Sequence, residues 1–320
     1  MLMKPTNLPF ITMMVLGSMI SISANSWFPI WLGLEMNIMG FIPLIVNKSN
    51  IFSIEASLKY FLVQAISSSI LLLSSIQNNF FLFPTELINM SLLIKLGAAP
   101  FHFWVPSIAG SISWSNLGLF LTWQKLAPMM ILTINMTTSI MMMTSLILSL
   151  MFGPIGGLSQ TNMKKMLAFS SIAHMGWVIT TIMMSFNLVA LYFVIYSTNL
   201  LMVISMMKNF QISSLNNSTM LSKKSKIMLY SMMLNMGGMP PLLGFFPKLM
   251  TLTLLIKMNM ILLCLPLLTS AIINLFFYLR LTYLALVLMI KKKNVFMYNY
   301  NTYKIKKTNY KPSSIYSNYI

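Results

Sequence analysis

The sequence predicts an all-α polytopic membrane protein, with about ten transmembrane helices in two inverted five-helix repeats and discontinuous fourth and ninth helices. Three observations predict this: the apolar composition, the distribution of lysines, and a pair of helix breaks at matching positions. Of 320 residues, 57% are hydrophobic and 8% are charged, against about 25% charged in an ordinary soluble domain. Mean hydropathy is +0.79. So few charges cannot cover so much apolar surface, which excludes a soluble globular protein and makes lipid the solvent. Hydrophobic runs fall at 8–23, 28–46, 54–76, 85–104, 115–135, 138–158, 166–184, 187–207, 227–256 and 260–289. Each suits a single helical span of about 20 residues. Together they form one transmembrane domain over residues 1–290, with no length left for a soluble catalytic domain.

The lysines orient these spans. With the N-terminus inside, the inside segments hold fifteen lysines and the outside loops hold only Lys257. This is the bias of the positive-inside rule, with both termini inside. Residues 291–320 are rich in Lys, Tyr and Asn, and read as a basic, polar surface or disordered extension. The net charge of +18 therefore marks topology and not a nucleic-acid face, since the basic residues lie between apolar runs. A single cysteine, Cys264, excludes a disulfide framework, a thiolate metal site and an iron–sulfur cluster. The N-terminus enters an apolar run almost at once and does not read as a transit peptide. The 34 methionines, with abundant Asn, Lys, Ile and Tyr, suggest an A+T-rich gene. Walker loops, dinucleotide-binding turns and Ser/His/Asp sets are not found, so the chain carries no visible redox or hydrolytic chemistry.

Two spans contain helix breakers. The fourth holds Lys95-Leu96-Gly97-Ala98-Ala99-Pro100, and the ninth holds Gly237-Gly238-Met239-Pro240-Pro241-Leu242-Leu243-Gly244. Proline removes a backbone donor and clashes with the preceding turn. Broken backbone at membrane depth persists only where protein or water satisfies it. The breaks lie five spans apart, so they cross in opposite directions and divide the chain into inverted repeats at about 8–135 and 138–289. That arrangement is typical of ion-translocating proteins, although Gly and Pro are also simply common in membrane helices.

Ionisable residues inside spans are the candidate site, because a charge at that depth is expensive and marks function by default. Lys95 lies too far from either end of its span to reach the interface; its simpler role is capping carbonyls freed near Pro100. Glu35, in the second span, is expected to pair with a lysine and form a proton switch, or else to sit one turn too deep at the interface. Lys125, in Trp123-Gln124-Lys125-Leu126-Ala127-Pro128, is equally deep, with Pro128 expected to loosen its helix. Lys248 follows the second break and either belongs to the path or snorkels outward. His174, among the hydroxyls of Ser170 and Ser171, is suited to relay protons but is more often a satisfied core histidine. His102 is a weaker candidate near the membrane surface. Glu55 and Lys59 read as a helix-stabilising i,i+4 pair, Glu86 as a complement to a helix N-terminus, and Lys164 and Lys165 as topology signals.

The segments Lys95 to Trp104, Trp123 to Pro128, Ser170 to Trp177 and Gly237 to Lys248 closely resemble the antiporter-like, proton-pumping membrane subunits of respiratory complex I, over residues 8 to 285. The resemblance implies that Glu35 and Lys95 form the Glu–Lys pair of the input half. It makes Lys125 the central relay lysine, Lys248 the lysine of the output half, and His174 a member of the central polar axis. It implies a mitochondrial inner-membrane protein whose complex oxidises NADH and reduces ubiquinone. NAD, FMN, iron–sulfur clusters and ubiquinone would be bound by partner subunits, with no cofactor or metal in this chain. Its partners would be other antiporter-like and small core membrane subunits, accessory subunits, and lipids such as cardiolipin. The polar tail departs from the family, which usually ends in a further apolar helix. Rival readings are a stand-alone cation/proton antiporter, a non-pumping structural subunit, and a cytochrome ligated by His102 and His174.

Overall fold

A chain surrounded by hydrocarbon must satisfy its backbone internally, and here it does so with helices. The computed structural model describes residues 7–47, 50–76, 84–135, 139–211, 223–280 and 282–283; the basic tail at 291–320 lies outside them. The helices are α1 (Leu8–Ser23), α2 (Trp27–Ile45), α3 (Ile51–Ile76), α4 (Pro84–Leu96), α5 (Trp104–Ser111), α6 (Trp114–Leu121), α7 (Trp123–Ile134), α8 (Ile140–Leu158), α9 (Met163–Ile182), α10 (Phe186–Asn209), α11 (Lys223–Gly237), α12 (Phe245–Lys257) and α13 (Ile261–Arg280). Every predicted apolar run carries helix. Among the described residues, six segments are both long and apolar enough to cross a membrane: α2, α3, α6 with α7, α8, α10 and α13.

Both predicted breaks are present, and they are built alike. In α4 the Gly97 N–H donates to the Ile94 carbonyl at 3.1 Å and the Ala98 N–H to the Leu93 carbonyl at 3.1 Å. In α11 the Gly238 N–H donates to the Asn235 carbonyl at 3.2 Å and the Met239 N–H to the Leu234 carbonyl at 3.3 Å. This is the Schellman arrangement, in which a left-handed residue turns the chain and covers the last carbonyls. Gly97 (φ 68°) and Gly238 (φ 82°) supply that conformation, which a side chain would strain. Both helices resume after the break, as α5 and α12.

Two boundaries differ from the sequence reading. The fourth segment was expected to end at residue 104, but α5 carries it to Ser111. Ser107, Gly110 and Ser111 dilute the apolar signal there, while Pro106 falls in the first turn, where its missing donor is harmless. The fifth segment is interrupted at Thr122, before Lys125, and not at Pro128, which lies inside α7. The Thr122 hydroxyl donates to the Gly118 carbonyl at 2.7 Å, a back-bond that competes with the helical ladder.

The packing repeats along the chain. α1 lies against α2, α2 against α3, and α3 against α4 and α5; in the same order α8 lies against α9, α9 against α10, and α10 against α11 and α12. The opening pairs approach closely enough that a β-carbon on Gly17 would sit 2.6 Å from the Asn37 nitrogen, and one on Gly153 2.6 Å from the Ala173 nitrogen. Small residues serve this purpose in membrane helices, where backbone proximity replaces hydrophobic collapse. α9 is central, and almost every one of its residues is buried, which explains why it has no amphipathic face. Its hydroxyls bond back to their own helix, for example Ser171 to the Ala168 carbonyl at 2.6 Å and Thr180 to the Trp177 carbonyl at 2.6 Å.

Candidate functional site

The fold gathers the intramembrane ionisable residues into its interior. Lys95, Lys125, Lys248 and His174 are all buried, between 3% and 6% exposed. None of the three lysines snorkels, so the outward-reaching role considered for Lys248 is set aside. Glu35 is half-buried on α2.

Lys95 occupies the last turn of α4, immediately before Leu96 and the first break. Its Nζ has no hydrogen-bond partner among the described residues. It therefore does not cap carbonyls freed near Pro100; the Schellman bonds already cover that helix end. Glu35 lies within electrostatic range of Lys95 and of Tyr60. It does not close on Lys95 as an ion pair: the pair found among the described residues is Lys59–Glu55, at 2.5 Å on the exposed face of α3. An unpartnered ammonium in a low-dielectric interior carries the full desolvation penalty unless water reaches it.

A small cavity lies between Lys95 and Lys125 and is lined by both. Asn37, Tyr60, Gln64 and Gln124 give it a polar wall. Water occupies enclosed space where several polar groups converge. Lys125 opens onto this cavity, while its Nζ donates to the Ser171 carbonyl of α9 at 3.5 Å. The interruption at Thr122 sets the start of α7, and with it the position of Lys125; the Lys125 N–H bonds back to the Thr122 carbonyl at 3.1 Å.

His174 sits one turn along α9 from Ser171. Its Nδ1 lies 2.9 Å from the Tyr192 hydroxyl of α10. Both Lys125 and Lys248 act on it electrostatically. The expected relay through Ser170 and Ser171 is not how the site is built: those hydroxyls donate to Leu167 and Ala168 carbonyls within their own helix. The hydroxyl partner is Tyr192, eighteen residues away. Periodicity offered no signal for it, because an aromatic in an apolar run reads as packing. A smaller cavity is lined by His174, Tyr192, Tyr196, Asn199 and Asn235.

The second break holds Lys248. Its Nζ donates to the Gly237 carbonyl at 2.9 Å, so here a lysine does cover a carbonyl at a broken helix end. It also stands 5.7 Å from the Trp177 ring centre, within range of a cation–π attraction. Asn235 pins the break. Its side-chain oxygen accepts from the Gly244 N–H at 2.7 Å, and its side-chain nitrogen donates to Asn199 of α10 at 2.8 Å. His102 lies buried in the first break against Phe152, with ring centres 5.6 Å apart.

Comparison with known proteins agrees with this construction. The family model described as "NADH:quinone oxidoreductase/Mrp antiporter, TM" matches residues 24–82 and 75–274. The chain is 40% identical to "NADH-ubiquinone oxidoreductase chain 2" of Anopheles gambiae over 98% of this chain and 93% of that one. It is 39% identical to the protein of the same name from Peropteryx kappleri, over 98% and 95%. In fold it is similar to a chain of respiratory complex I from Thermus thermophilus with bound aureothin. That match has a TM-score of 0.78 and 21% identity, and covers 88% of this chain and 70% of that one. A chain of the Mrp complex from Dietzia sp. superposes with a TM-score of 0.71 at 14% identity, over 85% and 59%. The chain therefore belongs to the NADH:quinone oxidoreductase/Mrp antiporter membrane family, in the branch of the NADH-ubiquinone oxidoreductase chain 2 proteins.

Proposed function

We propose that this chain is a proton-translocating membrane-arm subunit of NADH:ubiquinone oxidoreductase. In this reading partner subunits oxidise NADH and reduce ubiquinone, and the chain moves protons through Glu35, Lys95, Lys125, His174 and Lys248. The observation that carries the proposal is one interior line of buried bases. Lys95 and Lys125 share a polar cavity, and His174 lies within the electrostatic reach of both Lys125 and Lys248. Groups coupled this closely titrate as a set, so a proton gained at one lowers the affinity of the next. A change of charge near Glu35 would bias Lys95, then Lys125, then Lys248 through His174. Coupling over such a distance needs elements with two arrangements, and the broken helices are the candidates.

The shared Schellman breaks and the repeated order of helix contacts support two inverted five-helix repeats and ten spans. NAD, FMN, iron–sulfur clusters and ubiquinone belong to partner subunits in this reading. The neighbours are antiporter-like and small core membrane subunits, with accessory subunits and lipids such as cardiolipin at the periphery. The names of the relatives favour the mitochondrial inner membrane.

The test is Lys125→Met in the assembled enzyme. The complex is expected to assemble in normal amount, with NADH oxidation and proton pumping slowed together. Full assembly with unchanged turnover and an unchanged proton-to-electron ratio would make this a structural subunit. Sodium–proton exchange by the purified chain alone in liposomes would make it a stand-alone antiporter.

A further inference from the structure

The polar wall of the Lys95–Lys125 cavity holds a chain of three side chains from three helices. The Tyr60 hydroxyl of α3 donates to the Gln124 side-chain oxygen of α7 at 3.0 Å. The Gln124 side-chain nitrogen donates to the Asn37 side-chain oxygen of α2 at 3.1 Å. All three are buried and all three line the cavity. None is charged, and none was singled out from the sequence as a proton carrier. One end and the middle of the chain are nevertheless linked to groups that are. Glu35 acts electrostatically on Tyr60 and on Lys95, and Gln124 directly precedes Lys125.

This chain of bonds can run in either direction. A hydroxyl both donates and accepts, and an amide presents an acceptor on one side and donors on the other. Rotating the Gln124 amide by half a turn, with Asn37 following, turns its nitrogen toward Tyr60 and its oxygen toward Asn37. Tyr60 then becomes the acceptor, and its O–H is released to donate elsewhere. A half-turned network would leave buried donors facing donors, which is costly, so the three switch as a unit. A negative charge on Glu35 draws the Tyr60 hydroxyl dipole toward it, and a positive charge on Lys125 favours an oxygen turned its way. The two senses therefore respond to the charges at the two ends of the cavity.

We propose that Gln124, oriented by Tyr60 and Asn37, is a positioning residue of the proton path, whose amide sets the direction of hydrogen bonding through the cavity between Lys95 and Lys125. It accepts and releases no proton itself. It orients the water and hydroxyl donors through which a proton passes, so a transfer from the Lys95 end and a resetting of the path occur in opposite senses of the same network. The inference rests on the proton-relay reading above and deepens it.

The test uses the assembled, purified complex carrying Tyr60→Phe, Gln124→Met or Lys125→Met, with rates normalised to intact enzyme. Tyr60→Phe is the mildest change: the ring contacts with Phe41 and Trp104, at centre distances of 5.4 and 6.1 Å, are retained, and one oxygen is lost. Coupled NADH oxidation is expected to fall about tenfold in Tyr60→Phe and in Gln124→Met, the equivalent of a proton affinity mis-set by one pKa unit. The pH–rate profile is expected to shift in both. If Lys125→Met is slow while both cavity variants keep the wild-type rate and profile, the inference is overturned and the relay stands. If all three keep the wild-type rate, both readings fall. A lowered rate with an unmoved pH profile would mark the network as packing alone and would also overturn the inference. Should Gln124→Met not assemble, Tyr60→Phe decides by the same criteria.

Discussion

Gly238 offers a direct probe of how the second break holds its lysine. A β-carbon there would lie 2.8 Å from the Lys248 Nζ and 3.1 Å from its Cδ. The backbone is left-handed, with φ 82°, so Gly238→Ala carries about 1–2 kcal/mol of conformational strain regardless of its surroundings. It also displaces the Lys248 side chain from the Gly237 carbonyl, and a hydrogen bond from a charged donor contributes about 1.5–3 kcal/mol. The total loss is then about 2.5–5 kcal/mol. Lys248→Ala removes the atoms that the new methyl would strike, so in that background only the backbone strain of about 1–2 kcal/mol remains. A double-mutant cycle should therefore return a coupling of about 1.5–3 kcal/mol between the two positions. The readout is the temperature at which the assembled complex loses this subunit, followed on native gels for the wild type, both single variants and the double variant. Equal losses from Gly238→Ala in the two backgrounds would refute the argument that the glycine is required because the lysine lies over it.

Other perturbations separate structure from path. Gly97→Ala places a β-carbon 2.3 Å from a Val105 methyl and 3.2 Å from the Trp104 ring; it should destabilise the first break, with an effect additive to that of Lys95→Ala in the same thermal assay. Asn235→Leu orphans the Gly244 N–H and the Asn199 side chain; a loss of about 2–5 kcal/mol is expected, with faster hydrogen exchange across residues 238–244. Glu86→Ala removes an acceptor from the Ile140 and Met141 N–H groups at the start of α8; this exposed cap should contribute at most about 1 kcal/mol, seen as a small drop in thermal midpoint at unchanged turnover. Glu55→Gln breaks an exposed pair that contributes a few tenths of a kcal/mol, and turnover and assembly should both stay at wild-type levels.

What the sequence made legible follows from the physics of its solvent. Hydrocarbon leaves so few ionisable groups in the interior that Lys95, Lys125 and Lys248 stand out by position alone. For the same reason Gly97-Ala98-Ala99-Pro100 and Gly237 to Gly244 read as breaks. What was not legible depends on partners distant in sequence. Tyr192 meets His174, and Tyr60 meets Gln124, through helix packing that no local period encodes. The interruption at Thr122 was missed because a threonine hydroxyl gives no breaker signal, whereas Pro128 gives one and is absorbed within α7. The expected Glu35–Lys95 pair does not form as an ion pair among the described residues, because the sequence does not encode the distance between their helices.

That last difference separates the two breaks, which are otherwise built to one pattern. Both end a helix in the same pair of backbone bonds around a left-handed glycine, so neither needs a side chain to cover its last carbonyls. At the second break a lysine nevertheless donates to one of them, and Asn235 ties the far side of the gap to the near side. At the first break the positions equivalent in spacing to Asn235 and Gly244 are Ile94 and Phe103, which cannot form that tie. There the lysine lies on the helix before the glycine and has no hydrogen-bond partner among the described residues. A base held by the backbone is stabilised by a partner that moving it would forfeit. A base that faces a cavity forfeits no protein contact when it moves. The second break thus holds its lysine by a bond to the backbone, and the first leaves its lysine facing a cavity.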